Sequence, residues 1–267
     1  MPNPIEMPPR FEIRKLGPEH LEWAKAIMCH SNVFHSPVWS RVYPDNGTEI
    51  FYEMFDKITN MVKHQIDSGL SYGVFDKEYK FKHPEAAATG GANLWDPTRD
   101  PALSGEQILE KMDYPLASIA LAFDAINPIG PEILGPLFGA LPEFPIFFGY
   151  LTGQDTRDPA VWTPKGPMEL LNRMGTSTRE DYTHLGITKK MAQWLMWDAA
   201  EKGFRAINIE CFHDAVHHIW TNPPAPFRAE LVAIVRADEY EAEEDGKTVR
   251  PYAHVTQALS KVNVHLK

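Results

Sequence analysis

The chain has 267 residues, a formal net charge of −10 and an apolar fraction of 43%, the profile of a folded acidic protein rather than a disordered one. Such a charge gives no electrostatic footprint for nucleic acid or an anionic membrane, and no 18-residue apolar run is present to cross a bilayer. At roughly 150 residues per domain the length fits two small domains or one enlarged one; of 23 prolines, eleven fall between Pro97 and Pro167, which marks that stretch as the place to look for an insertion.

Residues 1–10 show neither the apolar core of a signal peptide nor the Arg/Ser-rich pattern of a transit peptide and read as a disordered tail before a single domain over 11–267. The two cysteines, Cys29 and Cys211, imply no disulfide framework, so a reducing, cytoplasmic location is the expectation.

In chain order, the alternation Phe11-Glu12-Ile13-Arg14 predicts a short strand, and a helical pattern follows from Glu19 to Cys29. Apolar residues at Ile50, Met54, Phe55, Ile58, Met61, Val62 and Ile66 predict one amphipathic helix from Gly47 to Gly69. Residues 71–75 read as a strand, 76–84 as its turn and return, and 87–94 as a further strand. The stretch 112–126 suits a helix or a buried strand. Residues 134–151 are aromatic and broken by proline every few positions, which predicts an ordered, buried loop, because each proline removes a donor and fixes φ. Together, 96–167 read as an insertion before the fourth strand, either covering an acceptor groove or adding core.

Residues 168–174 then predict a strand, and 186–202 a helix with Ile187, Met191, Trp194, Leu195 and Ala199 on one face. A strand over 205–211, a short helix over 214–220, and an antiparallel pair over 227–236 and 257–266 complete the chain. A strand entering a helix through Gly186 leaves backbone N–H groups without intrahelical partners, which is an anion site; Arg179, His184, Lys189 and Lys190 add positive charge beside it. An ordinary crossover with solvated lysines is the alternative.

The run Thr178-Arg-Glu-Asp-Tyr182-Thr183-His-Leu-Gly186-Ile187-Thr188, with a helix closing on Ala199-Ala200-Glu-Lys-Gly203 and the strand Ala206 to Glu210, resembles the signature of the GCN5-related N-acetyltransferase family. The resemblance implies an α/β (α+β) fold, a mixed, centrally splayed sheet flanked by helices, that uses acetyl-CoA as acyl donor and needs no metal. It implies that backbone around Met174, Gly175, Thr176 and Thr178 pairs with the pantetheine arm. By the same resemblance Thr183, His184, Leu185, Gly186, Ile187, Thr188 and Lys189 cradle the pyrophosphate. Thr183 stands where the family has Arg or Gln, and Thr188 replaces a small residue. His213, Val216 and Trp220 fall where the family has Asn, Ala and a Tyr that protonates the leaving thiolate; an indole is a donor only and cannot serve as that acid.

An amine nucleophile must lose a proton, and Glu210, His213, His217 and Glu169 are the available bases, with Glu210 and His213 the first choices. Cys211, His213 and His217 also have zinc-ligand spacing, but no second ligand pair accompanies them. The reading that follows is transfer of an acetyl or related acyl group to an amine of a small, apolar acceptor. The alternative is a protein of this fold that has lost acyl transfer and binds an apolar small molecule.

Overall fold

In the computed structural model, which describes residues 3–267, the run Leu116–Asp124 is buried at every position. Nine residues of Leu, Ala, Ile and Phe with one Ser and one Asp can bury both faces of a strand, so the apolar stretch within 112–126 becomes a central strand rather than a helix. With it, seven strands form one mixed sheet: β1 (Phe11–Lys15), β2 (Tyr72–Asp76), β3 (Leu116–Asp124), β4 (Leu170–Thr178), β5 (Ala206–Cys211), β6 (Arg228–Arg236) and β7 (Ala258–His265), in spatial order β1-β2-β3-β4-β5-β7-β6. Every neighbouring pair is antiparallel except β4 and β5, which run parallel.

That parallel pair creates the site. Register between β4 and β5 holds only from Leu170 opposite Ala206 to Arg173 opposite Ile209. Beyond Arg173, β4 keeps its partner β3 as far as Thr178 opposite Ser118, while β5 diverges, so the sheet is splayed at its centre. A bulge lies at the point of departure: Ala120 faces Thr176 but Ala122 faces Arg173, leaving the extra residue between them on β4. Gly175 there sits at φ 117°, a conformation that a side chain would strain.

Two helical layers cover the sheet. On one face lie α1 (Leu21–His30), which runs on into a π-helical turn over Ser31–His35, then α2 (Gly47–Lys57) and α3 (Thr59–Asp67). With Ile119, Leu121 and Phe123 of β3 they build one core. The helix expected over 47–69 is thus two: the apolar spacing is unbroken, but Ile58 sits at φ −85°, ψ 1° and turns the second helix off the first.

Two further helices, α4 (Pro131–Ala140) and α5 (Glu143–Thr152), occupy the stretch expected to be a loop. Their prolines cost less than the sequence suggests, because Pro131 begins α4, Pro142 caps α5 and Pro145 lies in its first turn, where N–H groups have no intrahelical partner; only Pro136 is interior. On the opposite face, α6 (Ile187–Glu201) and α7 (Asp214–Thr221) pack on Ala122, Leu171, Ile207 and Ile209.

Several expected boundaries change. The segment 96–167 is not one insertion, since it contains β3; the extra chain is split between the β2–β3 and β3–β4 connections. In the first of these, 84–89 is helical, and pairing is limited to Ala92–Asn93 with Met112–Asp113, in place of the strands read over 76–94. Residues 1 and 2 of the expected tail lie outside the described residues. The rest is ordered: Asn3 Nδ2 donates to the Trp194 carbonyl on α6 at 2.9 Å, and Arg10 forms a two-point pair with Asp76.

Candidate active site

Where β4 and β5 part, a cavity of about 490 Å³ opens through the sheet, within the size range of small-molecule sites. Its central walls are Arg173 to Thr178 of β4 and Ile209, Glu210 and Phe212 at the end of β5. One side is closed by Met28, by Asn32 and His35 of the π-helical turn, by Trp39, and by Leu137, Leu141, Phe144 and Phe148 of α4, α5 and their junction. The other side carries Thr183, His184, Thr188, His213 and Val216. Across the mouth, His35 Nδ1 stands 3.4 Å from a Glu180 carboxylate oxygen.

Most of the residues implied for acetyl-CoA meet here. Met174, Gly175, Thr176, Thr178, Thr183, His184 and Thr188 line the cavity. Leu185, Gly186, Ile187 and Lys189 do not: Leu185 is exposed, and Ile187, the first residue of α6, is buried in the core with Val74 of β2 and Ala120 of β3, so it could offer a ligand only its backbone. His184 and Gly186 take φ 63° and 71°, turning the chain sharply into α6, whose first-turn N–H groups have no intrahelical acceptors.

Thr188 does not obstruct that turn. Its Oγ1 lies 2.7 Å from Thr178 Oγ1, which lies 2.7 Å from Ser118 Oγ. Because Ser118 donates to the Ser177 carbonyl at 3.0 Å, the hydroxyls orient as a chain in which Thr188 donates to Thr178 and Thr178 to Ser118. The methyl-bearing side chain is therefore turned onto the strand, and the backbone of the helix start stays open. Arg179, expected as part of the anion site, is engaged elsewhere: its side chain is fully buried, donating to the Tyr114 carbonyl at 2.7 Å and to Asp181 at 3.1 and 2.8 Å. Lys190 donates to the Glu6 carbonyl.

The base candidates separate clearly. Glu210 alternates with Phe212 on the face that carries the aromatic wall, and Phe212 packs with Trp39 and Phe144. Burial raises the Glu210 carboxyl above the ordinary glutamate value, against a smaller lowering from Lys261 and from Asn208, whose Nδ2 donates to Oε1 at 3.1 Å. Lys261 stands opposite Glu210 on β7 but pairs with Asp155 at 3.0 Å, and Glu210 forms no ion pair among the described residues.

His213 caps α7, its Nδ1 accepting from the Ala215 N–H at 3.0 Å. That bond places the neutral ring's proton on Nε2, making the free edge a donor. His217 Nδ1 lies 2.7 Å from Ser260 Oγ. Glu169 precedes β4 at its opposite end, bonded to the Lys165 N–H at 2.9 Å and away from the cavity.

One residue that lines the cavity was not singled out by the sequence. Arg173 is the last β4 residue paired with β5 and is 2% exposed. Its Nη2 donates to Thr176 Oγ1 at 2.7 Å, while Nε and Nη1 have no partner among the described residues. The guanidinium lies 5.6 Å from the ring centre of Trp220. Burial lowers its pKa to about 9.

No protein-family model and no curated protein matches the sequence. Solved structures do match over nearly the whole chain. The C-terminal condensation domain of Ebony, in complex with beta-alanyl-dopamine, covers 95% of this chain and 98% of its own, with TM-score 0.54 and 17% identity. Arylalkylamine N-acetyltransferase 2 from Aedes aegypti covers 96% and 99%, with TM-score 0.53 and 9% identity. The putative arylalkylamine N-acetyltransferase 7 of the same mosquito covers 96% and 88%, with TM-score 0.55 and 10% identity. The class follows from sheet order and splay together with these matches: this is the fold of the GCN5-related N-acetyltransferases.

Proposed function

We propose that the protein transfers an acetyl or related acyl group from a coenzyme A thioester to the amine of a small apolar or aromatic acceptor, by direct attack. The observation that carries this reading is the placement of Glu210: a half-buried carboxylate with a raised pKa, lining the cavity where β4 and β5 part, on its aromatic-walled side.

The residues present fit the donor. The β4 edge from Met174 to Thr178 lacks a β5 partner, so its backbone groups are free to hold an amide-rich arm. No heavy atom lies within 4 Å of where a Gly186 side chain would begin, so a phosphate group can approach the start of α6 closely. When bound, acetyl-CoA supplies an acyl group activated as a thioester. Glu210 takes the proton of the attacking amine, and burial, which raises its pKa, makes it a stronger base than an exposed glutamate. His213, with Nε2–H free, orients the acceptor as a donor.

On the acceptor side, Phe144 stacks with Trp39, Phe138, Phe148 and Phe212 at centroid distances of 5.9 to 6.3 Å and interplanar angles no greater than 28°. Such a wall suits a flat or aliphatic body carrying one amine. The Ebony domain is in complex with beta-alanyl-dopamine, and another neighbour is an arylalkylamine N-acetyltransferase, a substrate class that supports this reading of the wall. The test is a panel of aryl, alkyl and polyamine acceptors with acetyl-CoA, read by free-thiol release. Turnover confined to apolar amines is the expected result; thiol release independent of amine would overturn it.

A further inference from the structure

Acyl transfer from a thioester must place a negative charge on sulfur as the bond breaks, and the family's usual acid is replaced by Trp220, which can only donate through its indole. Resting on the reading of this cavity as a coenzyme A site, we infer that Arg173 is the catalytic group that stabilises the departing thiolate. The amine nitrogen bonds to the carbonyl carbon, its proton passes to Glu210, and the carbon–sulfur bond breaks with the electron pair leaving on sulfur. The guanidinium then holds that anion without giving up a proton.

The geometry supports this in three ways. Arg173 lines the cavity at the position where β4 and β5 part. Its two unbonded groups, Nε and Nη1, are buried, and a buried cation without a counter-charge is costly, so an anion arriving there recovers most of that cost. Arg173 also lies on the face opposite Glu210, as its neighbours Leu171, Ile209 and Trp220 show, so base and thiolate are held apart across the splay.

Elements packed around Arg173 bring few competing charges. Cys211 of β5 is buried, which pushes its thiol up and keeps it neutral; Asp124 of β3 accepts from the Met168 N–H; α7 brings His213 and His217; and α6 presents Ala192 and Met196 there. Because Glu210, whose carboxyl is raised by burial, also changes charge, the test follows the sulfur itself rather than a rate.

Coenzyme A is bound to the wild type, Arg173→Lys and Arg173→Met, and the thiol is titrated by its thiolate ultraviolet absorbance, with desulfo-coenzyme A as a binding control. The expected result is a bound thiol at least tenfold more acidic in the wild type than in Arg173→Met, with Arg173→Lys between them and desulfo-coenzyme A bound equally by all three. Equal thiol acidity in wild type and Arg173→Met overturns the inference. If Arg173→Met does not bind the control, the wild type is compared with free coenzyme A, and an unshifted or raised thiol pKa overturns it. Failure of the wild type to bind either form instead overturns the underlying reading of the site.

Discussion

Thr178 and Thr188 share a hydrogen bond of 2.7 Å that ties the end of β4 to the first turn of α6. The loop between them, which includes Gly186, is thereby closed at its base, and Thr188 acts as its clasp. Thr188→Val keeps the shape and removes the donor, so it should lower stability by about 1 kcal/mol. Thr178→Val removes the middle of the chain and should cost more. A double-mutant cycle by urea denaturation checks this: the two losses should be non-additive, because the variants share one bond.

Two glycines at positive φ differ in what surrounds them. At Gly175, φ 117°, an added Cβ would meet Leu121 Cδ1 at 3.2 Å and Met28 Cε at 3.4 Å; at Gly186, φ 71°, it would meet nothing within 4 Å. Gly186→Ala should therefore cost only the left-handed backbone penalty, about 1 kcal/mol, and Gly175→Ala about 2 to 3 kcal/mol, since strain and crowding act together. Thermal midpoints of the two variants, measured side by side, give the order directly.

Glu210 should show opposite effects on activity and stability. Its carboxyl is raised by burial, so activity should climb as pH rises through that value and the base ionises. Glu210→Gln should lose about 10²-fold to 10⁴-fold in kcat together with that acidic limb. For stability the sign runs the other way: a raised folded pKa favours the protonated form, so the stabilising contribution is full at low pH and lost as pH rises through the folded value. Glu210→Gln should thus melt higher than wild type at neutral pH, with the gap closing in acid.

Asp76 links three distant segments, accepting from Arg10 at 3.0 and 2.6 Å and from the Tyr182 hydroxyl at 2.8 Å. Burial alone would raise its carboxyl, but these donors outweigh it and hold the pKa below the ordinary value. Stability from this group is present above the unfolded aspartate value, about 3.9, and is lost as pH falls through the folded one. Asp76→Asn should lose about 2 kcal/mol at neutral pH, and its deficit against wild type should shrink in acid denaturation curves below about pH 4.

The strand, glycine turn, helix and strand over 170–211 were legible because local rules govern each piece: a positive-φ glycine, a 3.6-residue stripe from Ile187 to Ala199, and apolar alternation on either side. The chain before it was less so. Nothing local marks Leu116–Asp124 as the third strand, since its burial depends on helices that lie far away in sequence. The prolines of 131–145 mimic loop chemistry because their tolerance rests on where helices begin, which only packing decides. At the candidate site, Glu210, which lines the cavity, was proposed from its place at a strand end. Arg173 was not, because an arginine in a strand ordinarily points to solvent, and only the fold shows that this position faces inward beneath Trp220.

The claim that this splayed sheet is a coenzyme A thioester site is tested most directly by calorimetric titration of the wild type and Gly186→Glu with acetyl-CoA. A carboxylate at the start of α6 would occupy the phosphate position and repel it. The account predicts saturable one-site binding by the wild type, weakened at least tenfold in Gly186→Glu. Absence of binding by the folded wild type at about millimolar acetyl-CoA, a threshold near −4 kcal/mol, would contradict it.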